Sequence, residues 1–207
     1  MYKERNALGK TVVFFKETSK ETADEMACFG HGENRMSNII SFDERVTPDD
    51  DSLVMSNGGT DVLISVLALS GSVIAQTENE KRLMVYLLEN DQIRGRGCVG
   101  FEIVEMPWTI ETFEEDKAFM KKVIGGAKKK TGWEKLDYHP DERLVFHDLR
   151  AFEKLIDRMT VDDIKEGASR NWMSEAEEND PVRCGFPRCG KHGIFLTCFG
   201  CQICNDT

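Results

Sequence analysis

Val62-Leu-Ile-Ser-Val-Leu-Ala-Leu-Ser-Gly-Ser-Val-Ile74 is apolar on nearly every face when wound as an α-helix. On a surface helix this pattern would leave much apolar area in water, so the segment reads as the buried central helix of the fold. Gly58-Gly59-Thr60-Asp61 in front of it reads as a turn handing over to the helix, with Thr60 as N-cap and Asp61 complementing the helix dipole. Ser65, Ser70, Gly71 and Ser72 interrupt the run, and no apolar stretch reaches the roughly 20 residues of a membrane span. The expectation is a helix buried in protein, without membrane contact.

Strand-like segments flank it. Lys10-Thr-Val-Val-Phe-Phe-Lys16 and Asn38-Ile-Ile-Ser-Phe-Asp43 are rich in β-branched and aromatic residues, and the acidic stretch Pro48–Ser52 after them reads as a loop. Downstream, Thr77-Glu-Asn-Glu80 has capping-box spacing, with Leu83, Met84, Leu87 and Leu88 on one helical face. Phe101-Glu-Ile-Val-Glu105 reads as a half-buried strand ended by Pro107. Thr112 and Glu115 offer a capping box for a helix with Phe119, Met120, Val123 and Ile124 inward and Gly125-Gly126 as its stop. After a connector from Trp133 to Pro140, Asp148 is expected to cap a helix whose stripe is Leu149, Phe152, Ile156 and Met159, and Thr160 with Asp163 to start a short successor. These elements predict an α+β fold, helices packed on a small mixed or antiparallel sheet, over residues 1–167. Residues 168–183 read as a polar linker or docking strap carrying Trp172 and Met173, and residues 184–207 as a Cys/His-rich metal-binding module.

The chain has 207 residues, 40% hydrophobic and 31% charged, enough for one good core. Its net charge of −10 argues against binding nucleic acid over its whole surface, since that affinity comes from cations displacing counterions from phosphates; Lys128-Lys129-Lys130 reads as a solvated face. Met1 to Ala7 shows no apolar segment after its basic residues and no small-residue cleavage site, so the expected compartment is the cytosol.

Five of the seven cysteines fall between 184 and 204, and clustered cysteines in a cytosolic chain more often hold metal than form disulfides. The spacing is Cys184-x4-Cys189-x2-His192-x5-Cys198-x2-Cys201-x2-Cys204. Two residues between ligands let a tight turn aim both side chains at one ion, and Gly190, Gly193 and Gly200 give such turns their backbone freedom. Cys189, His192, Cys198 and Cys201 form the expected tetrahedral set for Zn2+, with Cys184 and Cys204 as alternates. The segment resembles a short zinc ribbon or knuckle, with a spacing that is not that of nucleic-acid-binding knuckles. Cys198-Phe-Gly-Cys201-Gln-Ile-Cys204 also resembles the C-x2-C-x2-C run of bacterial-type ferredoxins, which implies a [4Fe-4S] cluster completed by Cys184 or Cys189, because no fourth cysteine and proline follow here.

Other motifs carry less. Gly95-x-Gly97-x-x-Gly100 matches the dinucleotide fingerprint as a string but lies between a helix and a strand, the reverse of the order phosphate binding needs, and Gly9-Lys-Thr11 lacks the first glycine of a P-loop. Cys28-x2-His31 has knuckle spacing but supplies only two ligands. His139, Asp141, His147 and Asp148 have the composition of a hydrolytic metal site, although Asp148 is also an expected helix cap. The expectation is therefore a cytosolic, zinc-stabilised adaptor or regulatory protein that binds another protein and has no catalytic activity. The alternatives are an iron-sulfur redox or sensor protein on the same cysteines and a small metal-dependent hydrolase.

Overall fold

Ser56 starts the central helix α1 (Asn57–Ile74): its side-chain oxygen accepts from the Gly59 amide at 3.1 Å, satisfying one of the first-turn donors. The expected cap at Thr60 is thus corrected. Thr60 is buried one turn inside the helix, and both glycines lie in the first turn. In this computed structural model, which describes residues 2–5, 11–14, 38–43, 52–92, 100–165, 167–178 and 180–204, every residue from Leu63 to Ser72 is buried. By length and composition alone α1 would pass for a membrane span, with a mean hydropathy of 1.3 over 18 residues, a length the expected start at Val62 had hidden. Here it is the core helix, packed against the three helices described next. Burying each large aliphatic side chain contributes about 1.5–3 kcal/mol, which is the force that holds the layer together.

Those helices are α2 (Glu78–Gln92), α3 (Phe113–Lys128) and α4 (Glu142–Arg158). The capping box of α2 forms as its sequence predicts: Glu80 N–H donates to Thr77 Oγ1 and Thr77 N–H to the Glu80 carboxylate, at 3.2 and 3.0 Å. Two other expected caps are corrected. Thr112 precedes α3 but makes no cap hydrogen bond, because its hydroxyl donates to the buried Asp116 at 2.9 Å. The cap of α4 is Asp141, which accepts from the Arg143 and Leu144 amides, and Asp148 sits mid-helix.

Gly125-Gly126 does not stop α3 either. A Cβ on Gly126 would lie 2.1 Å from Ser70 Oγ, and that hydroxyl donates to the Val123 carbonyl at 2.8 Å, so the glycine permits close approach of α1 and α3.

The sheet beneath has three strands in the order β4-β3-β5, where β3 is Ile39–Ser41, β4 is Ser52–Val54 and β5 is Gly100–Glu102. β3 is antiparallel to β4 and parallel to β5, so the sheet is mixed. Ile40, Leu53 and Phe101 stand in register and point into the core. The expected strand over Phe101–Glu105 ends at Glu102. Ile103–Glu105 is a 3-10 turn closed by reciprocal Glu102 and Glu105 contacts, with the Trp108 indole donating to the Ile103 carbonyl at 2.7 Å. The short successor at Thr160 is also a 3-10 turn, Val161–Asp163, with its capping box in place. The architecture is α+β, with helices packed on a small mixed sheet.

The chain divides into two compact units, Met1–Arg35 and Met36–Thr207. In the first, β1 (Tyr2–Arg5) and β2 (Thr11–Phe14) form an antiparallel pair with Tyr2 opposite Phe14. The second includes the stretch 168–183 that the sequence reads as a polar linker or docking strap. That stretch contains a short helix, α5 (Ala168–Glu175), whose Trp172 indole donates to Glu89 on α2 at 2.9 Å and packs edge-on against Tyr86. The loop expected at Pro48–Ser52 lies, apart from Ser52, outside the described residues, as do Gly95, Gly97, Cys28 and His31.

Candidate metal centre

Two small turns build the site. Arg188 and Phe195 are bridged antiparallel, the Cys189 amide donates to the Ile194 carbonyl and the Gly193 amide to the Cys189 carbonyl, both at 2.8 Å. The reversal needs a left-handed residue, and Gly193 supplies it with φ of 72°. This closure brings the His192 amide to 3.4 Å from Cys189 Sγ and turns the imidazole onto the same side. Thr197 and Gly200 are bridged in the same way, with Gly200 at φ of 96°, and the next turn carries Cys201 and Cys204.

Four ligand atoms converge. The cysteine sulfurs of 189, 201 and 204 and a ring nitrogen of His192 all lie within 4.8 Å of one another. His192 Nδ1 stands 3.4 Å from the sulfurs of Cys201 and Cys204 and 3.7 Å from that of Cys189, and the Cys189 and Cys204 sulfurs are 3.6 Å apart. A Cys3His set of this shape can hold a metal ion.

Of the residues singled out in the sequence, Cys189, His192 and Cys201 are brought together, and Cys204 stands where Cys198 was expected. Cys198 lies within the Thr197–Gly200 turn and faces away, its sulfur within 4.8 Å of carboxylate oxygens of Glu89 and Asp180. Cys184 is exposed, with its sulfur 3.7 Å from the Glu178 carbonyl. His139, Asp141, His147 and Asp148 do not appear among the described groups of three or more metal-capable side chains. Asp141 is occupied as the α4 cap, and His147 and Asp148 form a neighbouring pair at 3.0 Å on the surface of that helix. Sequence reasoning missed Glu89 and Asp180, and no local signal marks them, since they meet Cys198 only through folding.

The tail is fixed to the helical body by its own polar atoms. The Phe195 amide donates to Ser72 Oγ at 3.1 Å, Arg188 donates to the Ser72 carbonyl, and the Arg188 guanidinium stacks over the Phe195 ring. Gln202, buried, donates through its amide to Asp61 at 3.1 Å and to Asp91, and Lys135 donates to the His192 carbonyl at 2.9 Å.

No protein family, curated protein or solved structure matches this chain.

Burial pushes the Cys189 thiol up, but the backbone N–H groups of His192 and Lys191 and the neighbouring thiols Cys201 and Cys204 outweigh it and bring its pKa down to about 7. Burial drives Cys201 the other way, to about 12, against the backbone donors of Cys204 and Ile203. The His192 pKa is lowered by burial and by the charges of Lys191 and Lys135, which keeps the imidazole neutral, the form that ligates metal. A cation held here would favour the thiolate, the form in which cysteine ligates metal. Outside the centre, burial and then the charges of Glu89 and Asp180 raise Cys198 to about 11.

Proposed function

We propose that Cys189, His192, Cys201 and Cys204 hold one structural zinc ion that ties the two turns of the tail to each other. In this reading the chain serves as a cytosolic adaptor or regulatory protein, with the tail presented to another protein. The separations among the four ligand atoms carry the reading. A tetrahedron around zinc, with Zn–S of about 2.3 Å and Zn–N of about 2.0 Å, has S···S edges of about 3.8 Å and S···N edges of about 3.5 Å. The observed edges of 3.4 to 3.7 Å fit a single ion of that size.

An iron-sulfur cluster fits less well, because its thiolates bind different irons and spread around a body several atoms wide. It would also draw on Cys198, which faces the carboxylates instead. A closed four-ligand site leaves no position for substrate, so the zinc reading favours binding over catalysis. A hydrolase on His139, Asp141, His147 and Asp148 loses its footing with Asp141 committed to the helix cap.

The interaction role is supported by what the tail turns outward. Phe199, half exposed, occupies the Thr197–Gly200 turn directly before the Cys201 ligand. Thiols used as ligands also call for a reducing compartment, which favours the cytosol.

Elemental mass spectrometry on the purified chain tests the metal: one zinc per chain in a colourless protein is expected, and a brown, iron-loaded protein would contradict it. For the interaction, Phe199→Asp should lose the partner captured by the unmodified chain while keeping its zinc. Equal capture by both would remove the support that Phe199 gives.

A further inference from the structure

The geometry points to a thiol switch at this centre: hydroperoxides release the ion by joining Cys189 and Cys204 in a disulfide. The inference rests on the metal reading and concerns how that same site is regulated.

Three observations carry it. The Cys189 and Cys204 sulfurs are already 3.6 Å apart, and a disulfide needs about 2.05 Å, so each sulfur has under an ångström to travel. Cys204 sits in a turn and Cys189 just before one, so both side chains can make such a shift without moving a helix or strand. Cys201 and Cys204 are half-buried residues, whereas His192 is buried, and Gly190 and Lys191 beside Cys189 are exposed. An oxidant little larger than water therefore meets sulfur first.

The electron balance is closed by one molecule of hydrogen peroxide, an organic hydroperoxide differing only in that its first leaving oxygen departs as an alcohol. The sulfur of one cysteine attacks the O–O bond, takes a hydroxyl as sulfenic acid, and the other oxygen leaves as water. The second cysteine sulfur then attacks the first, the S–S bond forms as the S–O bond breaks, and a second water departs. Two electrons pass from the two sulfurs to the peroxide. Three protons are taken up from solvent, two ending in the waters and one on Cys201 as the ion leaves.

The pairing also decides what happens to the tail. Phe195 and Gln202, which anchor it to Ser72, Asp61 and Asp91, lie within the loop from Cys189 to Cys204, and Arg188 directly precedes it. A bond between the two ends closes the same loop that the ion closes, so the oxidised tail stays docked while the metal is lost.

The test treats the zinc-loaded full chain with hydrogen peroxide beside a chromogenic zinc chelator, against a peroxide-free control, and maps disulfides by peptide mass spectrometry without reduction. One zinc is expected to be released as Cys189 and Cys204 become linked, with rebinding after dithiothreitol and fresh zinc, and with the same release rate in Cys198→Ser. Zinc that stays bound while Cys184 and Cys198 are oxidised would overturn the inference, as would release with other cysteines paired. A chain that takes up no zinc at all defeats the metal reading instead. Peroxide on that metal-free chain still decides the pairing: a Cys189–Cys204 bond upholds it and its absence overturns it.

Discussion

The backbone amide of Phe195 donates to the side-chain oxygen of Ser72 at 3.1 Å, tying the loop between the metal-centre turns to the most buried helix of the fold. The donor and acceptor are both buried, so neither finds water if the other is removed. Ser72→Ala should cost about 1–3 kcal/mol, the penalty of an orphaned buried amide. Urea unfolding of the metal-loaded protein measures it, and an unchanged midpoint would show that the tail does not lean on α1.

The proposed ligand set separates two cysteines that the sequence treats alike. Cys204→Ser should weaken zinc binding roughly a hundredfold, its share of the 10–16 kcal/mol typical of a structural site. Cys198→Ser should leave the affinity unchanged. Competition with a calibrated chelator reads both, and the reverse ranking would restore the set first expected from spacing.

Gly126 is held to its identity by Ser70. Gly126→Ala places a methyl where Ser70 Oγ now lies, so the hydroxyl must swing away and abandon the Val123 carbonyl, at a cost of about 1–3 kcal/mol. The neighbouring Gly125→Ala meets nothing within 4 Å and should be neutral or slightly stabilising through its better helix propensity. Thermal unfolding of the two variants gives the comparison.

Glu89 should make stability depend on pH. Burial first, and the nearby Asp180 charge against the Trp172 hydrogen bond, raise its pKa from 4.5 to about 7. The folded state then holds the proton more tightly than the unfolded one, so stability falls as pH rises from 4.5 through 7 and the loss is complete above that. The shift corresponds to roughly 3 kcal/mol. Glu89→Gln keeps an acceptor for the Trp172 indole and removes the charge. It should therefore be more stable than the unmodified protein at pH 8 and no more stable at pH 4, measured by denaturant titration at both.

Asp116 follows the same sign. It is buried where α3 begins, and desolvation raises its pKa despite hydrogen bonds from Thr112 and Thr109. Asp116→Asn should stabilise the protein above the raised pKa, and the gain should vanish near pH 4. A loss at neutral pH would mean that the charge near the helix N-terminus outweighs its burial.

Local signals were legible and distant ones were not. The Thr77–Glu80 box forms as its spacing predicts because both partners lie within one turn, and the apolar segment after Asp61 is buried from Leu63 to Ser72 because no surface could accommodate it. Ser56 was hidden because Gly58 and Gly59 read as a loop, although glycines tolerate a first helical turn. Gly126 was misread as a stop because a glycine that ends a helix and one that admits a neighbouring hydroxyl look the same until Ser70 is placed beside it. Asp141 and Asp148 both precede apolar residues, and only the backbone chooses between them. At the metal centre, Cys198-x2-Cys201 and Cys201-x2-Cys204 have identical spacing. The Thr197–Gly200 turn turns Cys198 away and leaves Cys204 to complete the four. The meeting of Glu89, Asp180 and Cys198 depends wholly on tertiary packing.

X-ray absorption at the zinc edge of the purified, metal-loaded chain tests the central claim most directly. The account predicts a first shell of three sulfurs at about 2.3 Å and one nitrogen at about 2.0 Å, falling to two sulfurs in Cys204→Ser and unchanged in Cys198→Ser. A shell dominated by oxygen, or one that loses a sulfur when Cys198 rather than Cys204 is replaced, would contradict it.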